Sequence, residues 1–169
     1  MSNAIYLQPY ASPCGPLVLG SYQDELCLCD WGESLPRPTV EKRIQRYLKA
    51  TFFHEETDII SLAKTQLDEY FNHQRTVFTL PLLFVGTPMQ QKIWEMLPTI
   101  AYGHTLSYAQ LAQKAGQPQS VRAVANAIGA NALSIIIPCH RILGSNHSLT
   151  GYAGGLAAKE FLLSLEQQP

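Results

Sequence analysis

The chain has 169 residues, 46% of them hydrophobic and 15% charged, with a formal net charge of −1. That length suits one substantial domain or two small ones, and so small a charge excludes nucleic-acid binding by bulk attraction, leaving only a local patch. No apolar run is long enough to span a membrane, and "MSNAIYLQPY" lacks a basic segment before an apolar core, so a cytoplasmic location is expected.

Taken in order, "PLVLGSYQDELCLCDW" holds two apolar runs around Gly20 to Asp24 and predicts a β-hairpin with its turn there. In the second run Leu26 and Leu28 alternate with Cys27 and Cys29, one pair for each face of a sheet. Cys27 and Cys29 stand one residue apart, where zinc clusters space cysteines by about two to four, so with Cys14 and Cys139 they are expected as reduced thiols and no metal site is predicted. "RPTVEKRIQRYLKATFF" predicts a helix capped by Thr39, with Val40, Ile44, Tyr47 and Leu48 on its apolar face. "TDIISLAKTQLDEYFNH" predicts a second, with Leu67, Tyr70 and Phe71 inward, and "TVFTLPLLFVG" returns to extended structure. No motif in this half carries chemistry.

From Gly86 the chain changes to helices with short, punctuated links, which places a domain boundary between 1–85 and 86–169 and an α+β class on the whole. Charge shifts too: residues 1–85 hold 7 Lys and Arg against 10 Asp and Glu, and residues 86–169 hold 5 against 3. An anionic partner is therefore sought in the second half. "TPMQQKIWEML" opens with a capping box, Thr87 and Gln90 around Pro88, and carries Met89, Ile93 and Leu97 on one stripe.

"TLSYAQLAQKAGQPQSVRAVANAIGAN" has a second capping box at Ser107 and Gln110, a face of Leu111, Ala112 and Ala115, and breakers at Gly116 and Pro118. A further helix from about Ser120 turns Val121, Val124, Ala125 and Ile128 inward. Two short helices about a glycine turn fit a helix-turn-helix, though a plain α-hairpin reads the same way. Ala123, Ala127 and Ala130 are expected on the outer surface, small enough for close approach to a groove. Arg122 is the only charge on that helix, and is either a probe into a duplex or a solvated surface arginine.

The reactive groups lie in "SIIIPCHRILGS". Three β-branched isoleucines predict a buried strand that ends at Pro138, delivering Cys139 at its edge. An ordinary thiol is only about 3% thiolate at pH 7, so a nucleophilic cysteine needs a base or a positive surrounding, and His140 and Arg141 offer both. Adjacent residues of an extended chain point to opposite sides, so either the backbone turns or a water bridges His140 to Cys139. A histidine base also needs an orienting acceptor. Glu160, on the helix after the Gly151 to Gly155 loop, is either that acceptor or a surface residue.

Together "YGHTLSYAQLAQKAGQPQSVRAVANAIGAN", "IIIPCHRILG" and "TGYAGGLAAKEFLL" closely resemble the O6-alkylguanine-DNA alkyltransferases, densely over Leu80 to Glu166 and loosely before it. The resemblance implies a ribonuclease-H-like N-terminal domain and a winged helix-turn-helix-like domain carrying Cys139. It implies irreversible, cofactor-free transfer of an alkyl group from O6-alkylguanine, and from O4-alkylthymine, in double-stranded DNA to Cys139. His140 would be the base, acting through a water, with Glu160 orienting it. The helix-turn-helix would enter the minor groove and flip the lesion out. Arg122 would fill the vacated space, Tyr108 would line the base pocket, and Asn131 would tie the recognition helix to the active-site strand. Tyr152 and the backbone of Ala153 would face the base, with Ile142 contributing a backbone acceptor. Ala132, Met89, Ala101 and His104 depart from the family pattern in packing and turn positions, and Ala153 lacks a hydroxyl that some members carry. Some members hold a structural zinc; this sequence offers no convincing ligand set. A monomer is expected. A non-catalytic binder of alkylated DNA would lack Cys139, and a Cys-His hydrolase would leave the helix-turn-helix unexplained.

Overall fold

A computed structural model describes residues 3–116, 120–144, 149 and 151–168, and divides the chain into two compact units, Met1–Gly86 and Thr87–Pro169.

In the first unit β1 (Ala4–Ser12), β2 (Gly15–Tyr22) and β3 (Glu25–Trp31) form an antiparallel meander, and β4 (Thr51–His54) pairs parallel with β1, giving the order β3-β2-β1-β4. The β2–β3 turn consists of Gln23 and Asp24, with φ of 49° and 65°, the two-residue geometry that matches strand twist. Gly20, expected in that turn, lies within β2. The register shifts between Gly20 and Ser21, and a Cβ on Gly20 would sit 2.9 Å from Leu28 Cβ. Leu26, Cys27, Leu28 and Cys29 are all buried, so both faces of β3 are covered.

The helix α1 (Pro38–Leu48) starts one residue before the expected cap Thr39, because Pro38 has no N–H to leave unbonded and a φ already suited to a first turn. Arg37 precedes it, anchored to buried Asp30 by its backbone N–H and its guanidinium, each at 2.9 Å. Val40 and Ile44 are buried, while Tyr47, expected in the core, is exposed. In α2 (Asp58–Phe71) the Thr57 hydroxyl accepts from Ile60 N–H, and Leu67 and Tyr70 are buried. "TVFTLPLLFVG" is extended without forming a regular strand. The N–H of Leu26 donates to Pro81 O at 2.8 Å and that of Leu83 to Leu26 O at 2.9 Å, a single bridge that Pro81, lacking an N–H, cannot extend into a ladder.

The second unit runs α3 (Pro88–Met96), a 3₁₀ turn (Leu97–Thr99), β5 (Leu106–Ser107), α4 (Tyr108–Lys114), α5 (Val121–Gly129), a second 3₁₀ turn (Cys139–Arg141), β6 (Ile142–Leu143) and α6 (Leu156–Gln167). Both predicted capping boxes are present: Thr87 with Gln90 and Ser107 with Gln110 each bond reciprocally. Leu111, Ala112 and Ala115 are buried, and Gly116, at φ 75°, follows α4. Pro118 lies outside the described residues. On α5 the inward residues are Val124, Ala127 and Ile128. Ala127 thus faces the core rather than the outer surface, and the Trp94 indole donates to its carbonyl at 2.7 Å, tying α3 to α5. The outer face is Arg122, Ala123 and Asn126, all exposed.

The segment expected as a buried strand is buried but is not a strand. It is a compact double turn, and its cause is the side chain of Asn131. The carboxamide accepts from Leu133 N–H at 2.9 Å and donates to Ile137 O at 3.0 Å, holding the segment's two ends together where a strand would spread them.

Candidate active site

Cys139 is seated by two tight backbone turns, one at Ile135 and one at Pro138. Ile136 N–H bonds Ser134 O at 2.8 Å around Ile135, whose φ of 71° lies in the left-handed region that β-branched side chains avoid. Cys139 N–H bonds Ile137 O, also at 2.8 Å, around Pro138 at φ −79° and ψ 63°. Ile137 O thus accepts from both Cys139 and Asn131, which fixes the backbone on which the thiol stands. Strain of this kind persists only where surrounding contacts over-determine it, and Ile135, Ile136 and Ile137 supply them by being buried.

The 3₁₀ turn Cys139–Arg141 then places three functional side chains on one tight bend, resolving the problem of adjacent residues pointing apart by turning the backbone. β6 follows at once and pairs parallel with β5, Leu106 opposite Ile142 and Ser107 opposite Leu143. Because β5 runs directly into α4, this register brings the first turn of the helix-turn-helix beside the cysteine turn.

The carboxylate that holds His140 is Glu166. His140 Nε2 and Glu166 Oε2 are 2.7 Å apart, and both side chains are buried. Glu166 also accepts from Arg141 Nε at 2.8 Å and Nη2 at 3.0 Å, while Arg141 Nη1 donates to Ile100 O at 2.7 Å. The Arg141 guanidinium lies 5.8 Å from the centre of the Tyr102 ring. Burial alone would raise the Glu166 carboxyl, but the hydrogen bonds from His140 and Arg141 outweigh it and hold the group down at about 2. Glu166 is therefore ionised and can only accept, so His140 carries its proton on Nε2. Burial, aided by nearby Arg141 and Lys159, pushes His140 below its ordinary value against the pull of Glu166, leaving the ring neutral. Its Nδ1 is then a buried lone pair, with no hydrogen-bond partner among the described residues.

Glu160, expected to orient His140, is exposed. The physical reason is helical phase: Ala158, Leu162 and Leu165 set the buried stripe of α6, on which Glu166 falls and Glu160 does not. That same count, carried eight residues on from Ala158, is the signal in the sequence that finds Glu166. Cys139 and Ile142 are buried on either side of His140 and Arg141. Asn131 is buried at the end of α5, where it bonds the cysteine segment. Tyr108 is half-buried as the first residue of α4, and Arg122 is exposed in the first turn of α5. Tyr152 is half-buried and Ala153 exposed in the loop before α6.

Residues 5–84 match the family model described as 6-O-methylguanine DNA methyltransferase, ribonuclease-like domain, and residues 88–168 that of the DNA binding domain of the same family. A relative from Haemophilus influenzae, named methylated-DNA--protein-cysteine methyltransferase, is 41% identical over 99% of this chain and 89% of its own. The constitutive protein of that name from Bacillus subtilis is 38% identical over 96% of this chain and 95% of its own. Among solved structures, Mycobacterium tuberculosis OGT in complex with DNA superimposes with a TM-score of 0.81 at 36% identity, covering 96% of this chain and 92% of that one.

Proposed function

The chain belongs to the 6-O-methylguanine DNA methyltransferase family, and from that premise we propose that Cys139 is the acceptor through which it reverses DNA alkylation. The single observation that carries this assignment is the turn Cys139–Arg141, in which a thiol stands beside a neutral histidine whose far nitrogen is fixed on an ionised carboxylate.

In this reading His140 Nδ1, through a bridging water, takes the Cys139 proton as the substrate approaches. The thiolate forms the new S–C bond while the C–O6 bond of the guanine breaks, and the electron pair of that bond stays with the guanine. The proton given up by the thiol is the proton the restored guanine requires, so the step balances without a cofactor. Glu166 stabilises the imidazolium as it forms, and Arg141 keeps Glu166 ionised and in place. The product thioether has no leaving group for water to displace, so each molecule acts once. O4-alkylthymine offers the same alkyl carbon and is a second substrate.

Cys139 is buried, so the damaged base must leave the helix to reach it. We assign DNA contact to the outer face of α5, where Arg122 is flanked by exposed Ala123 and Asn126 and can enter the minor groove as the base leaves. Tyr108, Tyr152 and the backbone of Ala153 line the base, and the Ile142 backbone accepts from it. One chain holds the whole set, which supports action as a monomer; a cytoplasmic location fits a described structure in which no helix is long and apolar enough to cross a membrane. The test is whether alkylated DNA delivers its alkyl group to Cys139 in equal proportion to protein.

A further inference from the structure

The last turn of α6 lies against the bend that leads into β5. His104 N–H bonds Ala101 O at 2.9 Å, and Gly103 within that bend has φ 80°, the left-handed position that type II turns give to glycine. A Cβ on Gly103 would lie 3.1 Å from Glu166 O, so the two backbones approach closely. Three hydrogen bonds cross this approach. Gln167 Nε2 donates to Gly103 O at 2.8 Å, Gly103 N–H donates to Glu166 Oε1 at 3.4 Å, and the Tyr102 hydroxyl donates to Leu165 O at 3.5 Å. The Gln167 bond is the short one of the three. Just before the bend, Ile100 O is held by Arg141 Nη1 at 2.7 Å.

We propose that Gln167 is a positioning residue for the transfer, its carboxamide gripping the Ala101–His104 turn and so keeping Gly103 N–H on the carboxylate that orients His140. This rests on the reading of Cys139 as the alkyl acceptor and extends it. Glu166 Oε2 meets His140 Nε2 at 2.7 Å and Arg141 Nη2 at 3.0 Å, while Oε1 accepts from Arg141 Nε at 2.8 Å and from Gly103 N–H at 3.4 Å. The Gly103 contact is the longest of these four, so a small drift of the turn loses it first. The two carboxylate oxygens share one rigid plane, and a tilt released at Oε1 is carried to the bond that Oε2 makes with His140. That tilt turns the imidazole and with it the direction of Nδ1. Glu166 and Gln167 are consecutive on α6, so one stretch of helix carries both the carboxylate and the grip that steadies its donor. Gln167 is itself exposed, and its influence on the site runs through the Gly103 carbonyl.

The experiment compares wild type with Q167M, which keeps the stem and loses the donor, and with Q168M, the same change at the adjacent exposed residue. Two readings are taken on the full chain. One is the NMR signal of the His140 Nε2–H group. The other is the single-turnover rate of methyl transfer from duplex DNA containing O6-methylguanine to Cys139, followed against DNA concentration. Q167M is expected to shift the His140 signal upfield and to lower the maximal rate about fivefold, with the half-saturating DNA concentration and the thermal midpoint as in wild type. Q168M is expected to change none of these. A Q167M with the wild-type signal and rate overturns the proposal, as does either change without the other, or an equal effect of Q168M. A higher half-saturating DNA concentration at an unchanged maximal rate also overturns it, because Gln167 would then serve DNA binding. If wild-type Cys139 gains no methyl group, the parent reading of the site fails. If wild type transfers and Q167M does so at the same rate, only the role of Gln167 fails.

Discussion

The His140 ring and the Glu166 carboxylate meet at 2.7 Å across 26 residues of sequence, with both side chains buried. That contact fixes the tautomer of the histidine and leaves Nδ1 as the lone pair of the ring, the nitrogen to which we assign the role of base toward Cys139. Removing the carboxylate by E166Q leaves the Arg141 guanidinium buried without its anion and should cost about 3–5 kcal/mol of stability. Cys139 alkylation, measured at a temperature where the variant is folded, should slow at least tenfold. E160Q, on the exposed face of the same helix, should leave both thermal midpoint and rate as in wild type. Equal effects of the two substitutions would remove Glu166 from its assigned place.

The same contact sets an acid limit on stability. His140 is held neutral below its ordinary value of 6.5, so its contribution is complete above that pH and declines as pH falls beneath it. Glu166 is held down from 4.5 to about 2, so its contribution is present above 4.5 and is lost as pH falls from there toward 2. The second shift is worth roughly 3 kcal/mol. Urea midpoints across this range should therefore fall in two stages, and E166Q should abolish the lower one. A wild-type profile flat from neutral pH down to 4 would contradict the buried neutral histidine.

Asn131 makes a prediction about the seat of the thiol. N131A removes the hydrogen bonds to Leu133 N–H and Ile137 O, leaving buried backbone groups short of partners at a cost of about 1–3 kcal/mol. It also frees the turn that holds Ile135 at φ 71°. Calorimetry should show a lower thermal midpoint, and transfer to Cys139 should slow even where the protein remains folded. Loss of stability with an unchanged rate would mean that the seat does not need Asn131.

Arg122 is exposed, so its replacement should leave stability unchanged. R122A should slow repair of O6-methylguanine in duplex DNA about tenfold or more while leaving transfer from the free modified base unaltered. Equal losses on both substrates would separate Arg122 from base extrusion.

Local signals in the sequence mark the helical elements of the second unit well, because their information is short-range. The capping boxes at Thr87 and Ser107 are complete within four residues, and each forms as the spacing dictates. Thr39 misled because the proline before it outranks a hydroxyl cap at the first turn. The isoleucine run misled for a different reason: β-branching speaks for a strand, but the Asn131 side chain imposes a closed turn that propensity cannot register. Cys139 and His140 are visible as neighbours in sequence, whereas their carboxylate is long-range. Choosing it among α6 residues required helical phase rather than proximity, and the phase of Ala158, Leu162 and Leu165 selects Glu166. Lys159 drew no notice in sequence because only tertiary packing buries it.

Intact-protein mass spectrometry after mixing with duplex DNA containing O6-methylguanine tests the central claim most directly. The expected result is one added methyl group per protein molecule, mapped to Cys139, reaching a plateau at one equivalent of lesion and absent in Cys139→Ala. No mass gain on the wild-type chain, a methyl group on another residue, or continued lesion removal beyond one equivalent would contradict it.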